Sequence, residues 1–525
     1  MSAVSAERRW LLGLALMSAL VVACYLVAMN AYWVGDDFNY VRPKSWAEVG
    51  NFFNPVGRAQ FRPLTWSTWA AGFALFGTEP LGWHLARLAQ HLWNAVWAAL
   101  LVRAIIGRRD VALIAATLFA LHPAQPQTVT WLGGQADASF AMFWLPALWL
   151  FVRWRQGLGA GAGRGLWLLS GLLGFVSMFG KEAAVTLPIM ALFIDLLYGR
   201  DWARWPGKGS PGWWRDPGTL LGLLRDHSLF LAAAGLYVGL RVVLFLMGQG
   251  RLMYGSDQLG FLTNWLDVAA GYIVLSLGCW WLPPGVAGWP WLLKLAILGV
   301  ALLGLFLLVR WLGRNAVFAV GWFAVTLLLT LQAVALRWFY MPALGVGLLV
   351  ALVYAGLWDE GRRTKDERRT KDDGRWTMDG ASATSFVHRP SSFVVPLLFI
   401  AWYGWQTIAH NVQWREAGEA ARGILAQVQV LHPAPPRPAT FYVANPPYGY
   451  KDVLLFNTGL DSAIHHVYND WTNIRSYSVG EDTAQVQAAL SDPSQLGFNP
   501  IFLRYEAGRV TDYPTLRALV EAGIR

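Results

Sequence analysis

Apolar runs long enough to cross the roughly 30 Å of hydrocarbon in a bilayer recur along this chain of 525 residues. A segment in lipid must satisfy its backbone N–H and C=O groups internally, so runs of that length fold as helices. Hydrophobic residues make up 55% of the chain and charged ones 14%. A soluble fold of that composition would have to bury nearly every helix on all sides. The chain therefore reads as an all-α polytopic membrane protein. Its net charge of +10 comes from basic residues in short loops between apolar runs, not from one basic face. That pattern fits the positive-inside rule and argues against nucleic acid as a partner. Cys24 and Cys279 lie in apolar segments and suggest neither a disulfide framework nor a zinc site.

Arg8 and Arg9 precede an apolar run from Trp10 to Trp33 that is too long for a signal-peptide core. It reads as a retained anchor at 10–31 with the N-terminus in the cytoplasm. An outer loop, 32–79, follows, with an amphipathic stretch from Phe61 to Phe76. Further spans are expected at 80–105, 110–128, 136–154, 166–180, 183–198 and 228–248. Arg103, Arg108, Arg109, Arg153, Arg155 and Arg164, and the basic loop 199–226, then face the cytoplasm. Residues 264–282 are interrupted by Gly271 and Gly278 and closed by Pro283-Pro284. They are expected to be re-entrant on the outer side, because a full crossing would put Arg310 and Arg314 outside. Spans at 290–310, 315–335, 339–357 and 393–409 bring the total to about eleven crossings.

Residues 1–409 thus form the membrane domain. Its loop 358–392 carries a tandem repeat, Arg-Arg-Thr-Lys-Asp-Glu at 362–367 and Arg-Arg-Thr-Lys-Asp-Asp at 368–373, and reads as a disordered cytoplasmic spacer. Residues 410–525 read as a small extracytoplasmic α/β domain, with strand-like runs at 440–444 and 501–505 and helix-like runs at 483–490 and 514–523. His465-His466, lacking spaced partners, reads as surface. The expected location is the plasma (inner) membrane.

This topology gathers unusual polar groups on the outer side. Asp36 and Asp37 directly follow the first span, where charge beside a bilayer is costly unless it has a use. His122, Gln127 and Asp137 surround the second outer loop, and Lys181 and Glu182 tip the third. Arg241 lies in the outer half of a span, and Arg337 precedes Trp338-Phe339-Tyr340-Met341-Pro342 in an outer loop. Outer basic residues run against the charge bias, and an anionic ligand would account for them. Plainer readings stand beside this one: Arg241 snorkelling to the interface, Lys181-Glu182 as a hairpin-tip ion pair, and His91 as a buried, hydrogen-bonded histidine.

The runs Gly35-Asp36-Asp37, Phe61-Arg62-Pro63-Leu64, Gly77 to His84 and His91-Leu92-Trp93-Asn94-Ala95 resemble, in order and spacing, the GT-C glycosyltransferases. So do Leu121-His122-Pro123, Val129-Thr130-Trp131, Ala136-Asp137, Lys181-Glu182, and Arg337 with Tyr340 and Pro342. Within that superfamily the chain is similar to the O-mannosyltransferase-like membrane proteins that carry tetratricopeptide repeats. The likeness is good over 30–200, thin to 360 and absent beyond 410. It implies a GT-C-like bundle that takes sugar from a polyprenyl-phosphate donor to an acceptor hydroxyl on the outer face by inverting displacement. The acceptor could be protein, lipid or polysaccharide.

The same resemblance implies roles. Asp36 would be the base with Asp37 in support, and Arg337 and Arg241 would hold the donor phosphate. Asp137 and Glu182 would form a second acidic position for acceptor or metal, with His84, His91, His122, Lys181 and Tyr340 supporting. A general base must lie within hydrogen-bond reach of the attacking group. A lipid phosphate leaves as a stable anion, so it needs fixed positive charge, best supplied by an arginine fork. A divalent cation, Mg or Mn, is left open. The chain departs from the family at Gln127 (usually an acid), Gln135 (usually Arg) and Arg87 (often Asn), and no tetratricopeptide period is visible. The C-terminal domain is expected to cap the groove or select the acceptor. Two other functions fit a chain of this class. One is a transporter or flippase of lipid-linked substrates, which would show paired inverted broken helices. The other is a catalytically inactive scaffold with vestigial acids.

Overall fold

The computed structural model describes residues 3–58, 60–157, 163–206, 213–249, 260–329, 334–372, 391–456, 460–479 and 483–522. Each expected span overlaps a helix, and the breaks come where the sequence places Pro, Gly or charge. The helices at 110–128 and 315–335 end early, at Ala120 and Leu327, and residues 330–333 lie outside the described ones. Pro80 opens the helix Pro80–Ile106 and Gly107, at φ 77°, closes it. The helix Pro217–Leu246 begins earlier than the expected 228, because the Asp216 carboxylate accepts the Gly218 and Thr219 amides and caps it.

Among the described residues, six helices are long and apolar enough to cross a membrane: Val4–Ala28, Glu182–Asp201, Pro217–Leu246, Trp291–Leu312, Pro342–Glu360 and Phe393–Leu431. Other helices pack among them, including the 20-residue Ala136–Arg155 and the shorter Arg109–Ala120, Gly163–Met178 and Arg314–Leu327. One apolar cluster, reaching from Trp10 to Tyr403, fills the bundle. Of residues 264–282, those to 276 lie in the 17-residue helix Gly260–Ser276, bent at Asn264, and the chain turns after it at Gly278 with φ 84°. That helix spans about 25 Å at the α-helical rise, short of the hydrocarbon thickness.

Two expected boundaries fall inside helices. The helix Pro342–Asp372 runs on through most of the tandem repeat, so the first part of the expected disordered loop is helical. Lys, Glu and Arg are good helix formers, which is why mixed charge there did not break the chain. Residues 373–390 of that loop lie outside the described ones. The domain boundary at 410 falls inside one continuous helix, Ser391–Leu431, of 41 residues. Its first part continues the bundle. Its last part, through Trp414, Ala417, Ala421, Leu425 and Val428, joins an apolar core shared by the C-terminal domain and the first loop.

The strands of the C-terminal domain are β1 (Ala439–Ala444), β4 (Ile474–Ser478), β5 (Pro500–Glu506) and β6 (Arg509–Tyr513), with a small separate hairpin of β2 (Gly449–Tyr450) and β3 (Val453–Leu454). They form a four-stranded sheet in the order β4-β1-β5-β6. β1 pairs in parallel with β4 and β5, and β6 runs antiparallel at the edge. Helix Leu460–Tyr468 packs beside the sheet against the loop that follows the first helix.

Candidate active site

The chain leaves the first span through Trp33 and Val34, both buried, and turns at Gly35. Gly35 has φ 55°, a conformation that costs glycine nothing and other residues a good deal. The turn sends the next two side chains opposite ways. Asp37 is 2% exposed, and its carboxylate accepts the Gly133 amide at 2.9 Å. Asp36 stays half-buried and lines a cavity of about 440 Å³.

The cavity assembles residues from across the sequence: Asp36, Arg62, Asp137, Lys181, Glu182, Arg241 and Arg337 all line it, with Tyr40, Trp131, Tyr237 and Trp338. Two ion pairs form part of its wall. Lys181 Nζ donates to both Asp137 oxygens, at 2.7 and 2.6 Å. Arg62 makes a forked contact with Glu182, Nε to Oε2 at 3.0 Å and Nη2 to Oε2 at 2.7 Å. Asp137 sits in the first turn of Ala136–Arg155, where the helix dipole also favours an acid.

The remaining cations of the lining are Arg241 and Arg337. Arg337 lies with its guanidinium 5.6 Å from the Trp131 ring and 5.5 Å from the Trp338 ring, and its own amide donates to Gln127 Oε1 at 2.8 Å. Arg241 Nη1 donates to the Arg58 carbonyl at 3.1 Å, and Tyr237, one helical turn earlier, donates to that of Phe61 at 3.2 Å. Four cations and three acids thus face one space. Its field favours an anionic ligand with a carboxylate close by.

Of the residues expected at the site, Asp37, His84, His91, His122 and Tyr340 do not line this cavity. They hold helices together instead. His84 meets the Ala31 carbonyl at 2.9 Å and stacks on Trp33. His91 joins Tyr340 Oη at 2.8 Å to the Ala120 carbonyl at 3.0 Å, and Asn94 donates to the same hydroxyl at 2.9 Å. His122 packs between Phe339 and Tyr403. Arg62, Tyr40 and Tyr237 are lining residues that the sequence reading did not assign to the site. Arg62 had a visible signal as an outer basic residue in one of the quoted runs.

Asp37 is a structural acid. Burial pushes its carboxyl well above the usual range, against the pull of the Gly133 and Val34 amides and with repulsion from Asp36 added. The folded chain therefore holds that proton more tightly than the unfolded one. Its stabilising effect is full in acid and fades as pH climbs from the ordinary value of about 3.9 through the raised native one. Asp37→Asn keeps an oxygen for the Gly133 amide and should remove this fade. Thermal midpoints in detergent should then decline across that pH range for the wild type and stay level for the variant.

The Lys181–Asp137 pair is buried, with side chains 7% and 6% exposed. Lys181→Ala strands a buried carboxylate and should cost about 3–5 kcal/mol. The double variant Lys181→Met with Asp137→Asn should recover most of that loss, read as unfolding midpoints of the two proteins side by side.

These same contacts bear on a divalent cation. An ion of that kind needs anionic oxygens. Both Asp137 oxygens go to Lys181, Glu182 is held by Arg62, and Gln127 turns its oxygen to a backbone amide. Asp137 and Glu182, the expected second acidic position, are thus engaged by cations, and no group of three His, Cys, Asp or Glu gathers among the described residues.

No family model matches the chain. Its homologues are protein O-mannosyl-transferases. It is 28% identical over 204 residues to Tmtc1 of Drosophila melanogaster, covering 36% of this chain and 23% of that protein. It is 25% identical over 198 residues to tmtc2 of Xenopus laevis, covering 34% and 23%. It is 31% identical over 158 residues to TMTC4 of Homo sapiens, covering 27% and 21%. The chain thus spans less than a quarter of the length of these curated relatives. Among solved structures, ArnT from Cupriavidus metallidurans in the apo state matches with a TM-score of 0.51 at 14% identity, over 95% of this chain and 93% of that one. The apo Archaeoglobus fulgidus oligosaccharyltransferase matches with a TM-score of 0.51 at 12% identity, over 94% and 69%. The chain is an integral membrane protein that shares the fold of these two glycosyltransferases.

Proposed function

We propose that this chain is an integral membrane glycosyltransferase that moves a sugar from a polyprenyl-phosphate carrier to an acceptor hydroxyl on the extracytoplasmic face. The observation that carries this reading is the single cavity into which Asp36, Arg241 and Arg337 converge from distant parts of the sequence. The O-mannosyl-transferase relatives and the shared fold support it.

In this reading Asp36 takes the proton of the acceptor hydroxyl as its oxygen bonds to the anomeric carbon of the sugar. The bond from that carbon to the phosphate oxygen breaks from the opposite side, inverting the centre. Its electron pair stays on the polyprenyl phosphate. Arg337 and Arg241 hold the charge that grows there, and they need no reorganisation to do so. The Lys181–Asp137 and Arg62–Glu182 pairs hold the wall rigid and supply donors and acceptors for sugar hydroxyls.

The charge pattern supports the orientation. Ala136 and Asp137 line the cavity at one end of the helix Ala136–Arg155, while Arg153 and Arg155 lie at the other, roughly 28 Å away at the α-helical rise. The positive-inside rule puts the arginine end in the cytoplasm.

The test is transfer by the purified protein in lipid nanodiscs, supplied with polyprenyl-phosphate mannose or glucose and with peptide, lipid or oligosaccharide acceptors. Transfer should survive chelation by EDTA, given how the acids are held. No product from any donor, together with transport of the lipid-linked sugar across vesicles, would overturn the reading.

A further inference from the structure

The C-terminal domain contributes none of the described cavity lining, yet it grips the turn that carries Asp36. Gly35 donates its amide to the Leu455 carbonyl at 2.7 Å. Ser462 Oγ donates to Asn39 Oδ1 at 2.8 Å, and His466 Nε2 donates to the Phe38 carbonyl at 3.3 Å. Phe38 is fully buried, stacked on Phe456 at 5.9 Å between ring centres and met edge-on by His466 at 5.5 Å. The residues before, within and after this short turn thus meet the same domain. On its other side the turn is tied to the membrane bundle through Asp37 and the Gly133 amide.

The long helix adds to this grip. Gly418 passes so close to the first loop that a Cβ there would lie 2.6 Å from the Tyr32 amide nitrogen, and Arg422 lies 4.7 Å above the Tyr32 ring. Trp33, Val34, Phe38 and Val41 share one apolar core with Leu455, Phe456 and Ile464. That core is built from both parts of the chain, so the loop does not own its own packing.

We propose that the C-terminal domain is the positioning element for the Asp36 carboxylate, with Phe456, Ser462 and His466 as positioning residues. The domain acts through the turn and not through contact with substrate. This rests on the proposed role of Asp36, and it separates two quantities. Donor phosphate binding depends on Arg337 and Arg241, whose contacts with Trp131, Trp338 and the Arg58 carbonyl do not run through Phe456, Ser462 or His466. The attack step depends on where Asp36 sits, and a misplacement of about 1 Å can cost on the order of 100-fold in rate.

The test compares full-length wild type, Phe456→Ala and Ser462→Ala in nanodiscs. Three readouts are used: kcat and KM for polyprenyl-phosphate sugar, binding of polyprenyl phosphate by tryptophan fluorescence, and amide hydrogen exchange of the 34–41 segment. Phe456→Ala should lower kcat by roughly 10- to 100-fold. Its donor KM and polyprenyl-phosphate affinity should stay within about twofold, and exchange across 34–41 should rise. Phe456→Leu should restore most of the rate. Ser462→Ala removes a hydrogen bond without opening the core. It should lower kcat several-fold with an unchanged unfolding midpoint, so a Phe456→Ala protein that fails to fold still leaves the proposal exposed.

Unchanged kcat in Ser462→Ala and Phe456→Ala overturns the proposal, as does a loss of donor affinity that tracks the loss of rate. If the wild type transfers no sugar, the glycosyltransferase reading falls. The exchange data then still decide whether the domain holds the turn, since 34–41 exchange unaffected by either substitution would overturn that on its own.

Discussion

Asp36→Asn should reduce sugar transfer by roughly 10²–10⁴-fold, the usual worth of a general base, while polyprenyl phosphate binds as before. Asn matches the carboxylate in shape and can still accept a hydrogen bond, so the turn should keep its geometry. It cannot take up a proton at neutral pH. The adjacent Asp37→Asn serves as the internal control, because that side chain faces the Gly133 amide and not the cavity. A rate assay on the two purified variants separates them. Equal losses would show that the damage comes from disturbing the turn, and full activity in Asp36→Asn would remove Asp36 as the base.

Arg337→Ala should cost on the order of 10²–10³-fold in kcat, the scale seen when one fixed donor to a developing anion is removed. Arg337 is placed for that work from both sides. Two tryptophan rings flank the guanidinium, and Gln127 fixes the backbone beneath it. A lysine at 337 would keep the charge but lose the planar fork and its fit between the rings, so Arg337→Lys should recover little. Arg241→Ala should cost less in kcat and more in stability, since its guanidinium also ties the Pro217–Leu246 helix to the Arg58 carbonyl. Kinetics across a donor concentration series distinguish the two cases.

Much of the bundle was legible because helix ends have local causes. Pro80 marks a start and Gly107 a stop, whereas the starts at Pro217 and Pro342, equally local in cause, were expected at 228 and 339. The strands β4 and β6 were not read. β4 is five residues long with only every second residue buried, and β6 lies at a sheet edge with little apolar content. Sequence did name Asp36 ahead of Asp37 by resemblance. No local pattern could have done so, because the choice is made by the positive φ at Gly35 and by an amide nearly a hundred residues later.

Three histidines entered the expected site as supporting residues, by resemblance. Each has a backbone or side-chain partner within the bundle, in line with the plainer reading of His91. Arg87 and Gln135 entered as two separate departures from the family pattern. The structure brings them into one contact: Arg87 Nη1 donates to Gln135 Oε1 and, at 2.9 Å, to Gln90 Oε1. A contact between positions 48 residues apart has no signature along a single sequence.

The uninterrupted helix from Ser391 to Leu431 also governs how the molecule can be taken apart. A protease or a gene truncation acting near residue 410 would saw through a beam, not open a joint. A soluble fragment starting there would lack any anchorage for its first turns. Beginning instead near 432 would strip away the rod on which the sheet rests and uncover its apolar underside. The C-terminal portion thus cannot be cut free of the last long helix without losing part of its own packing.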